Sequence, residues 1–121
     1  MKRRTFRRLR ALATASFHHH VYVVLLDAKA SRQRKLRAAN PKRDPAKPCL
    51  YVGMTGLQPE KRFENHKQGI KAAQIVRRYG VRLLPEFYAI FNPMPFEAAC
   101  QMERELAEDL REQGYTVAGG S

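Results

Sequence analysis

Acidic side chains are scarce in this sequence, and their scarcity determines its charge. The 121 residues hold 23 Lys and Arg against 11 Asp and Glu, a formal net charge of +12. So large a charge on a small chain excludes an acidic or neutral surface and favours polyanionic partners, chiefly nucleic acid. Residues 2–10 carry six bases and no acid, and residues 29–47 carry eight bases and one acid. We therefore expect two basic segments, whereas the acidic C-terminal part, 81–121, has seven acids and three bases.

Cysteines and long apolar runs are also few. Cys49 and Cys100 are the only cysteines, and their wide separation fits neither a disulfide scaffold nor a zinc-binding C-x-x-C pattern. The simplest interpretation is a reducing, cytoplasmic location. No stretch is long enough to span a membrane, and Arg7, Arg8 and Arg10 interrupt the apolar segment that an export or organelle-targeting signal requires.

The length fits one domain, and 44% apolar residues are enough for a folded core. We expect a basic N-terminal arm at 1–17 and a folded domain at 18–121, with a basic, proline-containing insertion at 28–48 on its surface. Three consecutive histidines, 18–20, do not predict a metal site, because neighbouring side chains of a strand point to opposite faces.

Three short runs are typical of β-strands. VYVVLLD at 21–27 is apolar on both faces and predicts a central strand, and CLYVG at 49–53 predicts its antiparallel neighbour. EFYAIF at 86–91 is aromatic and β-branched, and it predicts a third strand. The expected class is α/β (α+β), with a small three-stranded, mainly antiparallel sheet flanked by helices.

Three helices are predicted between and after these strands. Pro59 favours a helix start, with Gly69 near its end. A second helix is expected over 71–79, ending at Gly80. The last helix ends at Gly114 and carries an apolar stripe at four-residue spacing, formed by Ala98, Met102, Leu106 and Leu110.

Several side chains in this arrangement could form a polar cleft. Arg62 and His66 lie four residues apart and so share one helix face. Two predicted strands carry Tyr22 and Tyr51, and Gly53 allows a sharp turn or the close approach of a ligand. Each also has an ordinary interpretation, since strand tyrosines are usually core residues and charged helix faces are usually solvated. An acidic residue of the last helix could join them, but periodicity does not choose among Glu103, Glu105 and Asp109.

In order and local context, these elements resemble the GIY-YIG nuclease family. The two half-motifs are matched by His20-Val21-Tyr22 and Tyr51-Val52-Gly53. The family's arginine, histidine and helical E-x-x-L pattern are matched at Arg62, His66 and 103–106. The resemblance extends over about residues 20–114 of the sequence.

The resemblance implies a GIY-YIG-like fold and a metal-dependent endonuclease that hydrolyses phosphodiester bonds in DNA. It implies a catalytic set consisting of Tyr22, Tyr51, Arg62, His66 and Glu103, with Gly53 as the motif's backbone position. It further implies that Glu103 holds one divalent cation, Mg2+ or alternatively Mn2+. We expect nucleic-acid contacts from the basic side chains of Arg3, Arg4, Arg7, Arg8, Arg32, Arg34, Lys35, Arg37, Lys61 and Lys67.

The sequence departs from the family pattern in three ways. His20 stands where the first motif usually has glycine, 28 residues separate Tyr22 from Tyr51, and no asparagine follows the last helix. A non-catalytic DNA- or RNA-binding module with the same fold is therefore an alternative, as is a ribosome-associated protein. The physiological substrate, the specificity, the oligomeric state and a recruiting protein partner stay open.

Overall fold

The structure is a computed structural model, and it describes residues 17–120. The predicted contacts at Arg3, Arg4, Arg7 and Arg8 lie outside the described residues. So does almost all of the predicted basic arm.

Two antiparallel strands form the centre of the sheet. Strand β1, His20–Leu26, pairs with strand β2, Cys49–Thr55, in a register that places Tyr22 opposite Gly53. The valines of β1 are fully buried, as expected for a strand covered on both faces. The predicted central hairpin is confirmed.

The third strand lies elsewhere than predicted. Strand β3, Gly80–Leu83, pairs antiparallel with β1, and Leu84 donates a further hydrogen bond to Val23. Pro85 has no N–H to extend this ladder, and the chain turns away from the sheet. The predicted strand at 86–91 is wrong, because this segment forms two short 3₁₀ helices, Pro85–Phe87 and Ala89–Phe91.

A fourth strand completes the sheet. Strand β4, Thr116–Gly119, runs parallel to β2 and pairs with its first four residues, Cys49–Val52. The strand order is β3-β1-β2-β4, a mixed four-stranded sheet. The α/β class is confirmed, but the prediction of three strands is wrong. Thr116–Gly119 is short and contains glycine, so its sequence gave little sign of a strand.

Four α-helices accompany the sheet among the described residues: α1, Arg34–Ala38; α2, Pro59–Gln68; α3, Gln74–Tyr79; and α4, Phe96–Glu112. Helix α2 begins at Pro59 and ends at Gly69, whose φ of +82° is the left-handed conformation that glycine adopts readily. Helix α3 begins later than predicted, because Lys71 also has a positive φ of 47° and cannot continue a helix.

The buried stripe of α4 differs from the predicted one. Ala98 is exposed, and the buried positions are Ala99, Glu103, Ala107 and Leu110. Leu110 is buried as predicted, whereas Met102 and Leu106 are half-buried at the edge of this face. A glutamate therefore lies in the middle of the buried face of the longest helix.

The insertion at 28–48 is folded and anchored. It contains a 3₁₀ helix, Ala28–Arg32, and α1, whose Leu36 is buried. Asn40 is 2% exposed, and its side-chain amide donates to the carbonyls of Leu36 and Val117 and accepts from the N–H of Val117. The insertion is thus attached to β4 by buried hydrogen bonds.

Its basic side chains also contact the C-terminal end of α4. Lys42 forms an exposed ion pair with Glu112 at 2.8 Å, and the Lys47 ammonium donates to the carbonyl of Gln113. Cations at a helix C-terminus are favourable, because the carbonyls there carry partial negative charge.

Cys49 and Cys100 are free thiols. Within residues 17–120, no helix combines the length and the apolar character needed to cross a bilayer.

Candidate functional site

The site is built on one face of the β1–β2 hairpin. Tyr22 lies opposite Gly53, and Tyr51 lies two residues before Gly53 on the same face. The Tyr22 ring lies directly over Gly53, where an added Cβ would come within 2.6 Å of the phenol oxygen. Gly53 is therefore required by the position of the Tyr22 side chain, and the two tyrosine rings have their centroids 6.1 Å apart.

Helix α2 places His66 against these tyrosines. The imidazole is fully buried, and its Nε2 lies 2.8 Å from the Tyr22 hydroxyl. Its ring centroid is 5.8 Å from that of Tyr51. Tyr22, Tyr51 and His66, which the sequence predicted as one group, are thus in one cluster.

The second nitrogen of His66 determines its protonation pattern. Nδ1 accepts a hydrogen bond from the backbone N–H of Ala73 at 3.1 Å. Because a backbone N–H only donates, Nδ1 carries no proton, and a neutral imidazole then carries its proton on Nε2. The hydrogen bond therefore runs from Nε2–H of His66 to the Tyr22 oxygen, which leaves the Tyr22 proton free for another acceptor.

Burial keeps both partners neutral. Burial, helped by the charge of Arg62, lowers the pKa of His66 to about 4. Burial also raises the pKa of the Tyr22 hydroxyl well above its ordinary value, and the nearby Arg62 charge only partly opposes this rise. At neutral pH, Tyr22 is therefore a phenol and His66 a neutral donor.

Arg62 lies one helical turn before His66. Its guanidinium donates to the carbonyls of Ile70 and Lys71, at 3.2 and 2.9 Å, and so holds the loop after α2. A guanidinium has five N–H groups, so two such bonds leave donors for a further acceptor. The charge of Arg62 lowers the pKa of Tyr22, Tyr51 and His66.

Glu103 approaches the cluster from α4. Its side chain is mostly buried, and burial raises the pKa of its carboxyl, with opposing effects from Arg104 and the Met54 backbone N–H. Burial also raises the pKa of Tyr51, and the negative charge of Glu103 adds to that rise. Glu103 is therefore the buried carboxylate whose charge acts on Tyr51, whereas Glu105 and Asp109, which periodicity did not separate from it, are exposed.

The donor set fits only a weakly anchored metal ion. Among residues 17–120, no three His, Cys, Asp or Glu side chains are placed to hold a metal ion together. Mg2+ often binds through one or two carboxylates and keeps several waters, so Glu103 alone is compatible with such an ion. A zinc centre with three or four protein ligands is not.

Within residues 17–120, the six basic residues that the sequence selected for nucleic-acid contact divide into two groups. Arg32, Arg34 and Lys35 are exposed and have no ion pair within the described chain. The others make intramolecular contacts: Arg37 with the carbonyls of Ser31 and Arg32, Lys61 with Glu64, and Lys67 with the carbonyls of Arg77 and Gly80.

Three backbone groups of the site were not found by sequence reasoning. They are the Ala73 N–H and the carbonyls of Ile70 and Lys71, which orient His66 and Arg62. Backbone groups leave no residue-type signal, and only the predicted end of α2 at Gly69 indicated that a loop returns here.

In comparisons with known proteins, the chain matched no family model, no curated protein and no solved structure.

Proposed function

We propose that the protein is a metal-dependent endonuclease of the GIY-YIG type that hydrolyses phosphodiester bonds in DNA. One observation carries the proposal: the hydrogen bond between His66 and Tyr22 lies beside Tyr51, whose pKa responds to the charges of Arg62 and the buried Glu103. Side chains that are far apart in the sequence contribute the groups that phosphodiester hydrolysis requires.

In this proposal Tyr22 orients the attacking water. A phenol with a raised pKa is a poor base at neutral pH, so its role is to position rather than to deprotonate. His66 donates to the Tyr22 oxygen, and this directs the phenol proton towards the water or a phosphoryl oxygen. Tyr51 forms the adjacent wall of the site.

In this proposal Arg62 and Glu103 serve to neutralise the negative charge of the phosphate, Arg62 directly and Glu103 through a bound metal ion. The free N–H groups of Arg62 would brace the phosphoryl oxygens, a preorganised interaction that counts most where charge develops in the transition state. Glu103 would hold a single Mg2+, or Mn2+, which when bound neutralises phosphate charge and assists the leaving oxygen.

The proposed specificity is weak or directed by DNA structure. The exposed side chains of Arg32, Arg34 and Lys35 suit phosphate contacts, which fix position but carry no sequence information. Contacts of this kind also make binding strongly dependent on salt.

Nicking of supercoiled plasmid in Mg2+ or Mn2+ tests the proposal through Glu103. We expect Glu103→Ala to reduce the nicking rate by at least about 100-fold, because the ion loses its only protein carboxylate. Glu105→Ala is the matched control, since it removes an exposed carboxylate two residues away on the same helix. The control should nick at the wild-type rate.

The nicking rate of Arg62→Ala provides a second test in the same assay. Circular dichroism verifies that this variant is folded. Equal losses in the Glu103 and Glu105 variants, or wild-type activity in Glu103→Ala, would contradict the assignment. Activity without any divalent ion would contradict the metal dependence.

The second candidate is a non-catalytic DNA- or RNA-binding module. Two observations favour it: Tyr22 is only 1% exposed, and Arg62 already uses two donors within the fold. Wild-type binding without nicking would select this candidate. Binding to DNA and RNA at matched salt would then separate a DNA-binding module from an RNA-binding or ribosome-associated protein.

A further inference from the structure

A cleft of about 320 Å³ lies outside the cluster. It lies between the start of β1, the first turn of α2 and the two 3₁₀ helices at 85–91. Its walls include His20, Pro59, Glu60, Pro85, Tyr88 and Ala89. None of these residues has a role in the proposed catalytic step.

Two polar side chains in this cleft have an unsatisfied atom. His20 is 8% exposed and Tyr88 is 3% exposed. Neither Nδ1 of His20 nor the hydroxyl of Tyr88 has a hydrogen-bond partner within residues 17–120. Because buried polar groups are nearly always paired, two unpaired atoms in one cleft indicate a place for a ligand that supplies the missing bonds.

The chemistry of the walls selects the kind of ligand. Burial, with the negative charges of Glu60 and Glu86, raises the pKa of Tyr88 to about 12, so its hydroxyl stays protonated and can donate. The carboxylate of Glu60 disfavours an anion and favours N–H donors. Prolines and Ala89 supply apolar surface for a flat ring. A neutral heterocycle with both donors and acceptors meets these requirements, whereas a phosphate does not.

The cleft lies next to the proposed reaction centre. His20 and Tyr22 are two residues apart on β1, so their side chains lie on the same face about 7 Å from each other. That separation is comparable to one nucleotide of an unstacked strand. His20 also occupies the position at which the sequence departs from the glycine of the first motif.

We propose that this cleft takes up a nucleobase, unstacked from the substrate strand, next to the phosphate held by the cluster. His20 and Tyr88 would bond to the edge of the base, and Glu60 would accept from its N–H groups. The inference rests on the proposed function, because it assumes that the cluster binds a nucleic-acid phosphate.

The test uses 2-aminopurine, whose fluorescence rises when it leaves the base stack. One label is placed at each successive position of a short DNA duplex, and the full-length protein is added with Ca2+ in place of Mg2+. Ala89→Trp fills the cleft, and the matched control, Ile90→Trp, adds the same side chain at the next residue, which is 88% exposed. Anisotropy measures total binding, which both variants should retain within about twofold because phosphate contacts dominate affinity.

With the wild-type protein we expect a several-fold rise at a position beside the cleaved phosphate and little change elsewhere. Ile90→Trp should keep the rise, Ala89→Trp should abolish it, and Tyr88→Phe should reduce it. A rise that survives Ala89→Trp, or no rise at any position, would overturn the inference.

The nicking assay separates failure of the cleft from failure of the proposed function. Nicking without any fluorescence rise would support the nuclease function and refute the cleft as a base site. A rise that Ala89→Trp abolishes, in a protein that does not nick, supports the base site and refutes catalysis.

Discussion

At the scale of the residue, the position of His66 has the clearest consequences. One ring nitrogen accepts from a backbone N–H and the other contacts Tyr22, so the fold itself selects the tautomer. Full burial also keeps the ring neutral, because a charged imidazole would lose its hydration. His66 is therefore a fixed donor to Tyr22 and not a base that could take its proton.

Nuclear magnetic resonance of the imidazole nitrogens tests this assignment. At pH 7 we expect the His66 signals of the tautomer with hydrogen on Nε2, and we expect protonation only near pH 4. Because the folded pKa is lower than the unfolded value of about 6.5, this group stabilises the fold above pH 6.5 and loses that contribution as pH falls towards 4. A tautomer with hydrogen on Nδ1, or a midpoint near 6.5, would contradict the assignment.

Part of this arrangement of residues was predictable from the sequence. The four-residue spacing placed Arg62 and His66 on one face of α2; the structure places His66 beside Tyr22, and the charge of Arg62 affects the pKa of Tyr22. The match to the E-x-x-L pattern selected Glu103, which is the buried choice among three. The tautomer and the raised pKa of Tyr22 were not predictable, because they depend on a backbone group and on burial depth.

At the scale of the element, the open edges of the sheet decide which segments become strands. The edge of β1 is taken by the short strand β3, and the edge of β2 by β4. The run at 86–91 has strand-like residues, but β3 and β4 already occupy the two positions beside the central hairpin, and prolines 85 and 93 flank the run. Local propensity predicted a strand here, and competition for pairing overrode it.

The insertion shows the same dependence on distant contacts. Its composition predicted a surface loop with few apolar residues, but Asn40 connects it to the last strand through two buried hydrogen bonds with Val117. The two ends of such a bond network are far apart in sequence. A polar residue in a basic, proline-containing segment gives no local sign that it will be buried.

Asn40→Ala tests whether this network stabilises the domain. We expect a loss of about 1–3 kcal/mol in the free energy of unfolding, because the N–H of Val117 would stay buried without a partner, while its carbonyl would keep the bond from Arg111. Urea unfolding of Gln33→Ala provides the control, since that side chain makes no capping hydrogen bond at the start of α1. A loss below about 0.5 kcal/mol, the usual range for surface changes, would show that the network contributes little.

At the scale of the whole molecule, the exposed basic side chains of the insertion lie apart from the cluster around Tyr22. Arg32, Arg34 and Lys35, which have no ion pair within residues 17–120, lie on the insertion, which follows the far end of β1, whereas the cluster lies around Tyr22 and Gly53. A strand of nucleic acid gripped by the insertion would thus reach the cluster by running along the hairpin. Composition predicted a polyanionic partner for the whole chain, but only the folded sheet indicates how the basic segment and the cluster are related in space.

We propose that Tyr22 lies at a reactive phosphodiester, and the ratio of nicking rates between wild type and Tyr22→Phe is the measurement that decides this. The substitution removes one oxygen and leaves the ring over Gly53, so the fold should persist. We predict a loss of at least about 100-fold in Mg2+, because the water loses its orienting group. Tyr115→Phe, which alters a tyrosine outside the cluster, should nick at the wild-type rate. Equal rates for Tyr22→Phe and wild type, or a wild-type protein that does not nick, would contradict the account.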